Sequence, residues 1–218
     1  MPLYVYLIRH GETDWNAQGR VQGATDIELN RRGRLQARAV SRLLRAEPLR
    51  ALYASPLKRA LETAELIARP HGLCVRMLPG LRELDQGELE GLSFEELDNL
   101  YGPFMEAWRE RPGELRCPGG ETMAELQERA WEALEEIREE NPEGKVAAVS
   151  HNLAIRSLIC RIVGLPLENM GRLRQSSGAF NLLEHGERGW VLRSMNNTLH
   201  LMSPDGAAPL GSPGEEGR

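Results

Sequence analysis

Cysteine is scarce in this sequence, and the few cysteines lie far apart. The 218 residues include three, Cys74, Cys117 and Cys160, and none belongs to a CxxC or a Cys/His pattern. Zinc sites and disulfide frameworks are recognised by such patterns, so neither is expected here. We expect free thiols, as is usual in a reducing compartment.

The sequence also lacks a long hydrophobic run and a strong excess of charge of one sign. The apolar stretch at residues 3–8 has no basic region before it and is too short for a signal peptide or a membrane span. The formal net charge is -5, so composition indicates neither a nucleic-acid partner nor a membrane partner. We therefore expect a cytoplasmic protein.

Short apolar runs alternate along the chain with segments of helical periodicity. Six runs have the length and composition of strands; they cover residues 4–8, 49–54, 73–78, 145–150, 179–185 and 190–195, the last two as a hairpin. The first helical segment follows Asn30, a suitable N-cap, and its apolar stripe comprises Leu35, Ala39, Val40, Leu43 and Leu44. The alternation predicts an α/β fold of three αβα layers, with a mainly parallel central sheet and helices on both faces.

The middle of the chain is more irregular than the rest. Two short helices, at residues 93–100 and 103–109, are predicted to form a partial lid over the edge of the sheet where the parallel strands end. We expect residues 1–202 to form a single domain. Residues 203–218 are rich in Pro, Gly, Ser and Glu, a composition that predicts a disordered tail.

Polar motifs follow three of the predicted strands. Arg9-His10 follows the first, Ser55 begins a motif after the second, and Ser150-His151 ends the fourth. In a parallel sheet these ends share one edge, where ligands bind. A His between an Arg and a Gly is by itself only a weak indication of an anion site, because a His at a strand end is more often a capping or surface residue.

In combination and in order, the motifs resemble those of the histidine phosphatase superfamily, also called the phosphoglycerate mutase-like family. They are Arg9-His10-Gly11-Glu12-Thr13 with Trp15-Asn16, Gln22-Gly23, Ser55-Pro56-Leu57-Lys58-Arg59-Ala60 with Thr63-Ala64, Leu81-Arg82-Glu83-Leu84 with Gly87 and Glu90-Gly91, Gly119-Gly120-Glu121 and Val149-Ser150-His151. The resemblance extends over about residues 3–200. It implies an enzyme that transfers phosphoryl groups without a metal or another cofactor.

The resemblance assigns the two groups that make and break bonds. His10 corresponds to the nucleophile that becomes a phosphohistidine, for which a neutral imidazole suffices near pH 7. Its other ring nitrogen should donate to a backbone carbonyl, which fixes the tautomer. Glu83 corresponds to the proton donor for the leaving alkoxide, although Asp85, Glu88 and Glu90 lie close enough in sequence to remain alternatives.

The resemblance also implies a phosphate clamp around the nucleophile. Guanidinium groups match phosphate oxygens bidentately and stabilise the charge of the transition state, so Arg9 and Arg59 join His10, Glu83 and His151 in the catalytic set. The expected phosphate-binding residues are Arg9, Asn16, Gln22, Gly23, Arg59, His151 and Asn152. Asn152 stands where the family most often has Gly; we expect it either to tolerate a left-handed backbone or to cap the following helix.

Three functions are compatible with this scaffold, since one fold can host several activities. Phosphoglycerate mutases carry a longer insertion after the acid, with a Tyr and a cluster of basic residues. Here Gln86 stands at the place of that Tyr after Glu83, and the stretch to Gly119 is short. The basic residues of that stretch are Arg109, Arg111 and Arg116. These features favour a phosphatase over a cofactor-dependent mutase. A non-catalytic binding module is less favoured, because such a protein is expected to lose the nucleophile or the acid.

The predicted lid is rich in apolar side chains, namely Phe94, Leu97, Tyr101, Phe104, Met105 and Trp108. They suggest a pocket for hydrophobic or mixed alcohols rather than for a second anion. The expected partner is a small-molecule phosphomonoester, and a homodimer is a further option.

Overall fold

A computed structural model describes residues 1–202, which form six strands and six α-helices in addition to short 3-10 turns. The strands are β1 (Leu3–Arg9), β2 (Leu49–Ala54), β3 (Val75–Met77), β4 (Gly144–Ser150), β5 (Phe180–Gly186) and β6 (Gly189–Asn197). The helices are α1 (Asp14–Ala17), α2 (Arg31–Leu44), α3 (Lys58–Ala68), α4 (Phe94–Glu110), α5 (Met123–Glu140) and α6 (Asn152–Val163). The segment 203–218, for which the sequence predicts a disordered tail, lies outside the described residues.

All six strands belong to one mixed sheet with the order β3-β2-β4-β1-β5-β6. Strand β4 pairs in parallel with β1 and β2, and β2 pairs in parallel with β3. Strand β5 is antiparallel to both of its neighbours, β1 and β6, so it alone runs against the other five. The mainly parallel sheet and the terminal hairpin are therefore confirmed.

Helices cover both faces of the sheet, as the alternation along β1 shows. Leu3, Val5 and Leu7 belong to an apolar cluster with residues of α5 and α6. Tyr6 and Ile8 point the other way, into a cluster with residues of α2 and α3. Because successive side chains of a strand face opposite sides, this division gives the three αβα layers. Within residues 1–202, no helix is long and apolar enough to cross a membrane.

The ends of β1, β2 and β4 meet at one edge of the sheet. The backbone N–H of His10 donates to the carbonyl of Ser150 at 3.1 Å, and the N–H of Ser55 donates to the carbonyl of Val149 at 2.9 Å. The three polar motifs therefore lie side by side, as the parallel topology predicts.

The two short helices that the sequence predicts in the lid are confirmed as the two halves of one kinked element, α4. It is bent at Tyr101, whose φ of -127° and ψ of 18° are not helical. Pro103 explains the bend, since proline lacks an N–H and its ring clashes with the preceding turn. Most apolar side chains of α4 pack in or against a third cluster, built around Leu84 and Leu89, whereas Phe94 and Leu100 are exposed.

Candidate active site

His10 lies directly after β1 and is held on both sides by backbone hydrogen bonds. Its N–H donates to Ser150, as described above, and its carbonyl accepts from the N–H of Gly178 at 3.0 Å. The residue is buried. The position of the imidazole is thus set by two segments that flank the end of β1.

One ring nitrogen of His10 is held by a backbone carbonyl, and the other has a lone pair available for attack. Its Nδ1 lies 2.6 Å from the carbonyl oxygen of Gly11. A carbonyl can only accept, so Nδ1 carries the proton and Nε2 has a lone pair. The Nε–H of Arg59 donates to that Nε2 at 3.3 Å. The expected tautomer is confirmed, with the unprotonated nitrogen facing the guanidinium.

Gly11 allows α2 to pack directly behind this histidine. A Cβ atom at Gly11 would lie 2.3 Å from the carbonyl oxygen of Gly33, and a Cβ at Gly33 would lie 2.0 Å from the carbonyl oxygen of Glu12. The two glycines therefore permit a close approach of two backbones. The N–H of Gly11 also donates to the hydroxyl of Thr63 at 3.2 Å, which ties the segment to α3.

Arg59, in the first turn of α3, is fully buried, with 0% of its surface exposed. Its Nη1 and Nη2 donate to the carbonyls of Thr25 and Gly23, each at 2.7 Å. Burial lowers the pKa of Arg59 to about 10, with a smaller opposing effect of Glu83, so the guanidinium keeps its charge at neutral pH. Arg59 therefore does not lie on the solvated face of α3.

The loop that supports Arg59 is itself held by Glu90. The Glu90 carboxylate accepts from the N–H groups of Ala24 at 2.7 Å and Thr25 at 2.9 Å. It also accepts from the Thr25 hydroxyl and, at 3.1 Å, from the N–H of Gln86. Glu90 therefore has a structural task that its sequence position does not reveal.

His151, the residue between β4 and α6, lies beside His10. The two ring centroids are 5.0 Å apart, and the Nε2 of His151 is 2.7 Å from the hydroxyl of Ser55. That hydroxyl accepts from the N–H of Leu57 at 3.3 Å, so its own hydrogen is free to point at His151. The Nδ1 of His151 is buried and has no hydrogen-bond partner among the described residues.

Both histidines favour the neutral form in this environment. Burial is the main cause that lowers the pKa of His10 well below 6.5, followed by Arg59 and Arg9. For His151 burial again comes first, followed by Arg59 and His10. A bound anion would oppose the effect of the arginines. Arg9 itself is buried, and its Nη1 donates to the carbonyl of Gln175.

Glu83 caps the N-terminus of α6, and this corrects the expectation for Asn152. One Glu83 oxygen accepts from the N–H groups of Leu84 and Ala154 at 3.0 and 3.2 Å, and the other accepts from Leu153 at 3.1 Å. The N-cap position of α6 is His151, which makes no side-chain cap. Asn152 is the first helical residue and so neither caps the helix nor has a left-handed backbone.

The other acidic residues near Glu83 serve the loops around them. Asp85 accepts from the N–H of Gly87 at 3.0 Å, and Glu88 accepts from the hydroxyl of Tyr101 at 3.1 Å. Glu90 holds the loop under Arg59. Glu83, in contrast, is 8% exposed, and its carboxylate binds the N-terminus of α6 next to His151.

Arg129 on α5 fixes the backbone around Glu83 and was not identified from the sequence. It donates to the carbonyls of Gly80, Arg82 and Glu83 at 2.8–2.9 Å. It also forms a bidentate pair with Glu121 at 2.8–2.9 Å. The one available signal was the Gly119-Gly120-Glu121 motif, which gives no indication of its partner on the next helix.

Asn16 and Gln22 are both anchored on Thr13, three residues after His10. The Thr13 hydroxyl donates to the amide oxygen of Gln22 at 2.8 Å, and the N–H of Thr13 donates to the amide oxygen of Asn16 at 3.1 Å. With the oxygens so engaged, each side chain presents its NH2 group as a donor.

Comparison with known proteins places this arrangement in a family. The sequence model of the histidine phosphatase superfamily (branch 1) matches residues 5–198. The probable phosphoglycerate mutase GpmB of Serratia proteamaculans is 36% identical over 212 residues, which covers 93% of this chain and 96% of the relative.

Solved structures of two proteins also resemble this chain. YhfR of Bacillus stearothermophilus superposes with a TM-score of 0.86 at 27% identity, covering 91% of this chain and 98% of that one. A variant of phosphoserine phosphatase from Entamoeba histolytica, in complex with phosphoserine, gives a TM-score of 0.81 at 30% identity, covering 91% and 99%. The chain therefore belongs to branch 1 of the histidine phosphatase superfamily.

Proposed function

We propose that the protein is a phosphatase that hydrolyses small-molecule phosphomonoesters through a phosphohistidine on His10. The observation that carries the proposal is the fixed tautomer of His10, whose unprotonated Nε2 faces the buried guanidinium of Arg59. A nucleophile thus lies next to a permanent cation that can neutralise a phosphoryl group. The comparisons support the phosphoryl-transfer class, since the relatives include a phosphatase and a protein named as a mutase.

In the first step, the lone pair of His10 Nε2 forms a bond to phosphorus. The ester P–O bond breaks, and its electron pair remains on the leaving oxygen, which takes a proton from Glu83. Arg9 and Arg59 stabilise the charge on the non-bridging oxygens, where most of the catalysis of such reactions resides. The Nδ1–H bond to Gly11 supports the positive charge that the imidazole acquires.

In the second step, a water oxygen forms a bond to the same phosphorus atom. The P–N bond breaks and returns its electron pair to Nε2, while Glu83 takes the proton of the water. The buried Nδ1 of His151 has no partner among residues 1–202, and in this proposal it donates to the phosphoryl oxygens. Donation from Nδ1 requires that Nε2 accept, which the Ser55 hydroxyl permits.

The second candidate is a phosphoglycerate mutase, favoured by the 36% identity to a relative with that name. A mutase returns the phosphoryl group to a second hydroxyl instead of water. The short segment between Glu83 and Gly119 and its few basic residues weigh against this alternative.

The test is a panel of phosphomonoesters run beside a mutase assay, with and without 2,3-bisphosphoglycerate, combined with acid-quench trapping of the phosphoenzyme. We expect release of inorganic phosphate that is independent of bisphosphoglycerate, and an acid-labile phosphoenzyme. Both should vanish in His10→Ala but persist in His185→Ala, whose ring lies against Trp190 on β6. Isomerisation without net phosphate release would favour the mutase, and turnover by His10→Ala would contradict the nucleophile.

A further inference from the structure

The segment between α6 and β5 ends in a tight turn, residues 175–179, that contacts both the nucleophile and one of its cations. The carbonyl of Gln175 accepts from Nη1 of Arg9. The N–H of Gly178 donates to the carbonyl of His10 at 3.0 Å. A displacement of this turn would therefore move the two groups that engage the phosphoryl group in the proposed mechanism.

The turn has a defined conformation and packs closely on α2. The N–H of Ala179 donates to the carbonyl of Ser176 at 3.1 Å, and Gly178 within the turn has a φ of 71°. A positive φ at the third position of a β-turn is typical of type II. A Cβ atom at Gly178 would lie 2.9 Å from the Cβ of Gln36. Contacts to the backbone of this turn therefore fix where its two ends lie.

Asn196, near the end of β6, holds the first half of the turn. Its amide oxygen accepts from the N–H of Ser176 at 2.7 Å, one residue after Gln175. Its own N–H donates to the amide oxygen of Asn181 at 2.8 Å. The side chain of Asn181 is fully buried and donates to the carbonyl of Leu7 at 3.0 Å. The contact thus connects the turn to β1, the strand that leads into the nucleophile.

The backbone of Asn196 is left-handed, which aims its side chain away from the regular ladder. Its φ is 48°, the one positive value at a non-glycine position among residues 1–202. Phe180 pairs with Asn197 but Leu182 pairs with Ser194, so β6 has one residue more than β5 over this stretch. Such bulges often lie next to active sites and redirect a side chain. Local backbone strain also concentrates at functional sites, where the surrounding structure holds it.

His200, in the 3-10 turn Leu199–Leu201 after β6, holds the second half of the turn. Its Nε2 lies 2.9 Å from the carbonyl oxygen of Gly178, so Nε2 carries the proton. Its Nδ1 is buried without a hydrogen-bond partner among the described residues, and the ring lies against Phe180. Burial lowers the pKa of His200, so the ring is neutral at neutral pH. The hydrogen bond that the ring donates is therefore to the residue that holds the nucleophile.

We propose that Asn196 and His200 are positioning residues for phosphoryl transfer, which set the location of Arg9 and His10 through the turn at residues 175–179. This inference rests on the proposed function and names what orients its nucleophile and one of its cations. Neither residue touches a reacting atom in the proposed mechanism. A displacement of about 1 Å far from the chemistry can lower a rate about 10²-fold, so the loss of either hydrogen bond should be visible in kcat.

The test compares His200→Phe, which keeps the ring and removes the donor, with His200→Gln, which restores an N–H donor. In His200→Phe we expect kcat to fall by about 10–10²-fold, on alkyl and aryl phosphates alike, because the acid Glu83 is not affected. His200→Gln should recover most of this loss. His185→Phe is the matched control at the far end of the β5–β6 hairpin, where His185 contacts Trp190, and it should keep the wild-type kcat.

Calorimetry with orthovanadate, which mimics a phosphoryl group without being turned over, separates this inference from the proposed function. Weaker vanadate binding by His200→Phe than by the wild type and His200→Gln supports the positioning role even if no ester is hydrolysed. Unchanged kcat and vanadate affinity in His200→Phe, with only a lower urea midpoint, would overturn it, because the contact would then be structural. Equal losses in the Phe and Gln variants would also overturn it.

A second variant keeps the inference testable if His200→Phe does not fold. Asn196→Gly retains the freedom to adopt a positive φ but removes the acceptor for the N–H of Ser176. It should lower kcat on both classes of ester and weaken vanadate binding, as His200→Phe does. Wild-type values of both quantities in Asn196→Gly would refute the positioning role.

Discussion

Replacement of Glu83 by Gln removes proton donation while it keeps most of the helix cap that this residue forms. Gln keeps the shape and one acceptor oxygen, which can still accept from Leu84 and Ala154. The new NH2 group would face the N–H of Leu153, which loses its acceptor. An unsatisfied buried donor costs about 1–3 kcal/mol of stability, so the variant should fold but unfold at a lower urea concentration.

The catalytic effect should depend on the leaving group. General acid catalysis contributes roughly 10²–10⁴-fold, and this contribution is needed by an alkoxide but hardly by p-nitrophenolate. We therefore expect kcat on alkyl phosphates to fall by about 10²-fold or more, while kcat on p-nitrophenyl phosphate changes far less.

Steady-state assays on a series of esters with graded leaving groups measure this difference directly. Glu88→Gln is the matched control, because the Glu88 carboxylate bonds to the hydroxyl of Tyr101 in the lid. It should slow none of the esters selectively. An equal loss on alkyl and aryl esters in Glu83→Gln would refute the acid role and leave Glu83 as a helix cap.

Three further predictions concern the supports of the site. Gly11→Ala places a Cβ 2.3 Å from the carbonyl oxygen of Gly33 and should lower the free energy of unfolding by about 1–3 kcal/mol; thermal unfolding that matches the wild type would show that α2 can yield. Because the folded-state pKa values of His10 and His151 lie well below 6.5, the unfolded chain binds protons first as the pH falls past 6.5. The free energy of unfolding should then decrease by up to about 1.4 kcal/mol per pH unit for each histidine. Measured by urea titration at a series of pH values, it should depend less steeply on pH in His10→Ala; an equal dependence on pH would contradict the lowered pKa of His10. Arg129→Met removes the donors to three carbonyls around the acid and should cost about 2–3 kcal/mol while it slows alkyl esters more than aryl esters; a loss of stability with no such selectivity would limit Arg129 to a structural role.

The strand ends were predictable from the sequence, because a buried parallel strand leaves a continuous apolar run that stops where polar chemistry begins. That these ends meet followed from topology, and the resemblance identified the residues that form a site there. Arg59 and His151 came together with His10 as expected, since each of the three lies within a few residues after a strand of the same sheet.

The apolar stripe of α2 was predicted less well. Leu35 and Leu43 are 42% and 43% exposed, whereas Gln36 is fully buried. The reason is a tertiary contact that periodicity cannot show: the amide oxygen of Gln36 accepts from the N–H of Glu12 at 2.8 Å, in the loop after β1. Polar backbone beneath the helix required a polar side chain at a core position.

Contacts between segments distant in sequence likewise could not be predicted from local patterns. The capping of α6 by Glu83 spans about 70 residues, and the clamp of Arg129 on the acid loop spans 46 to 49. A local pattern identifies a helix start but not a cap supplied by another segment. This is why Asn152 was assigned a role that Glu83 performs.

The loop held by Glu90 changes how mutagenesis at this site has to be interpreted. Arg59 donates to the carbonyls of Gly23 and Thr25, and the N–H of Thr25 donates to Glu90. Glu90 also accepts from the N–H of Gln86, three residues after the acid. One carboxylate thus supports both the cationic side and the acidic side of the reaction. A Glu90 variant should therefore lose activity, although Glu90 touches no substrate atom in the mechanism proposed. Loss of activity alone is therefore a poor criterion for chemistry in this protein, and the dependence of the loss on the leaving group is the better one.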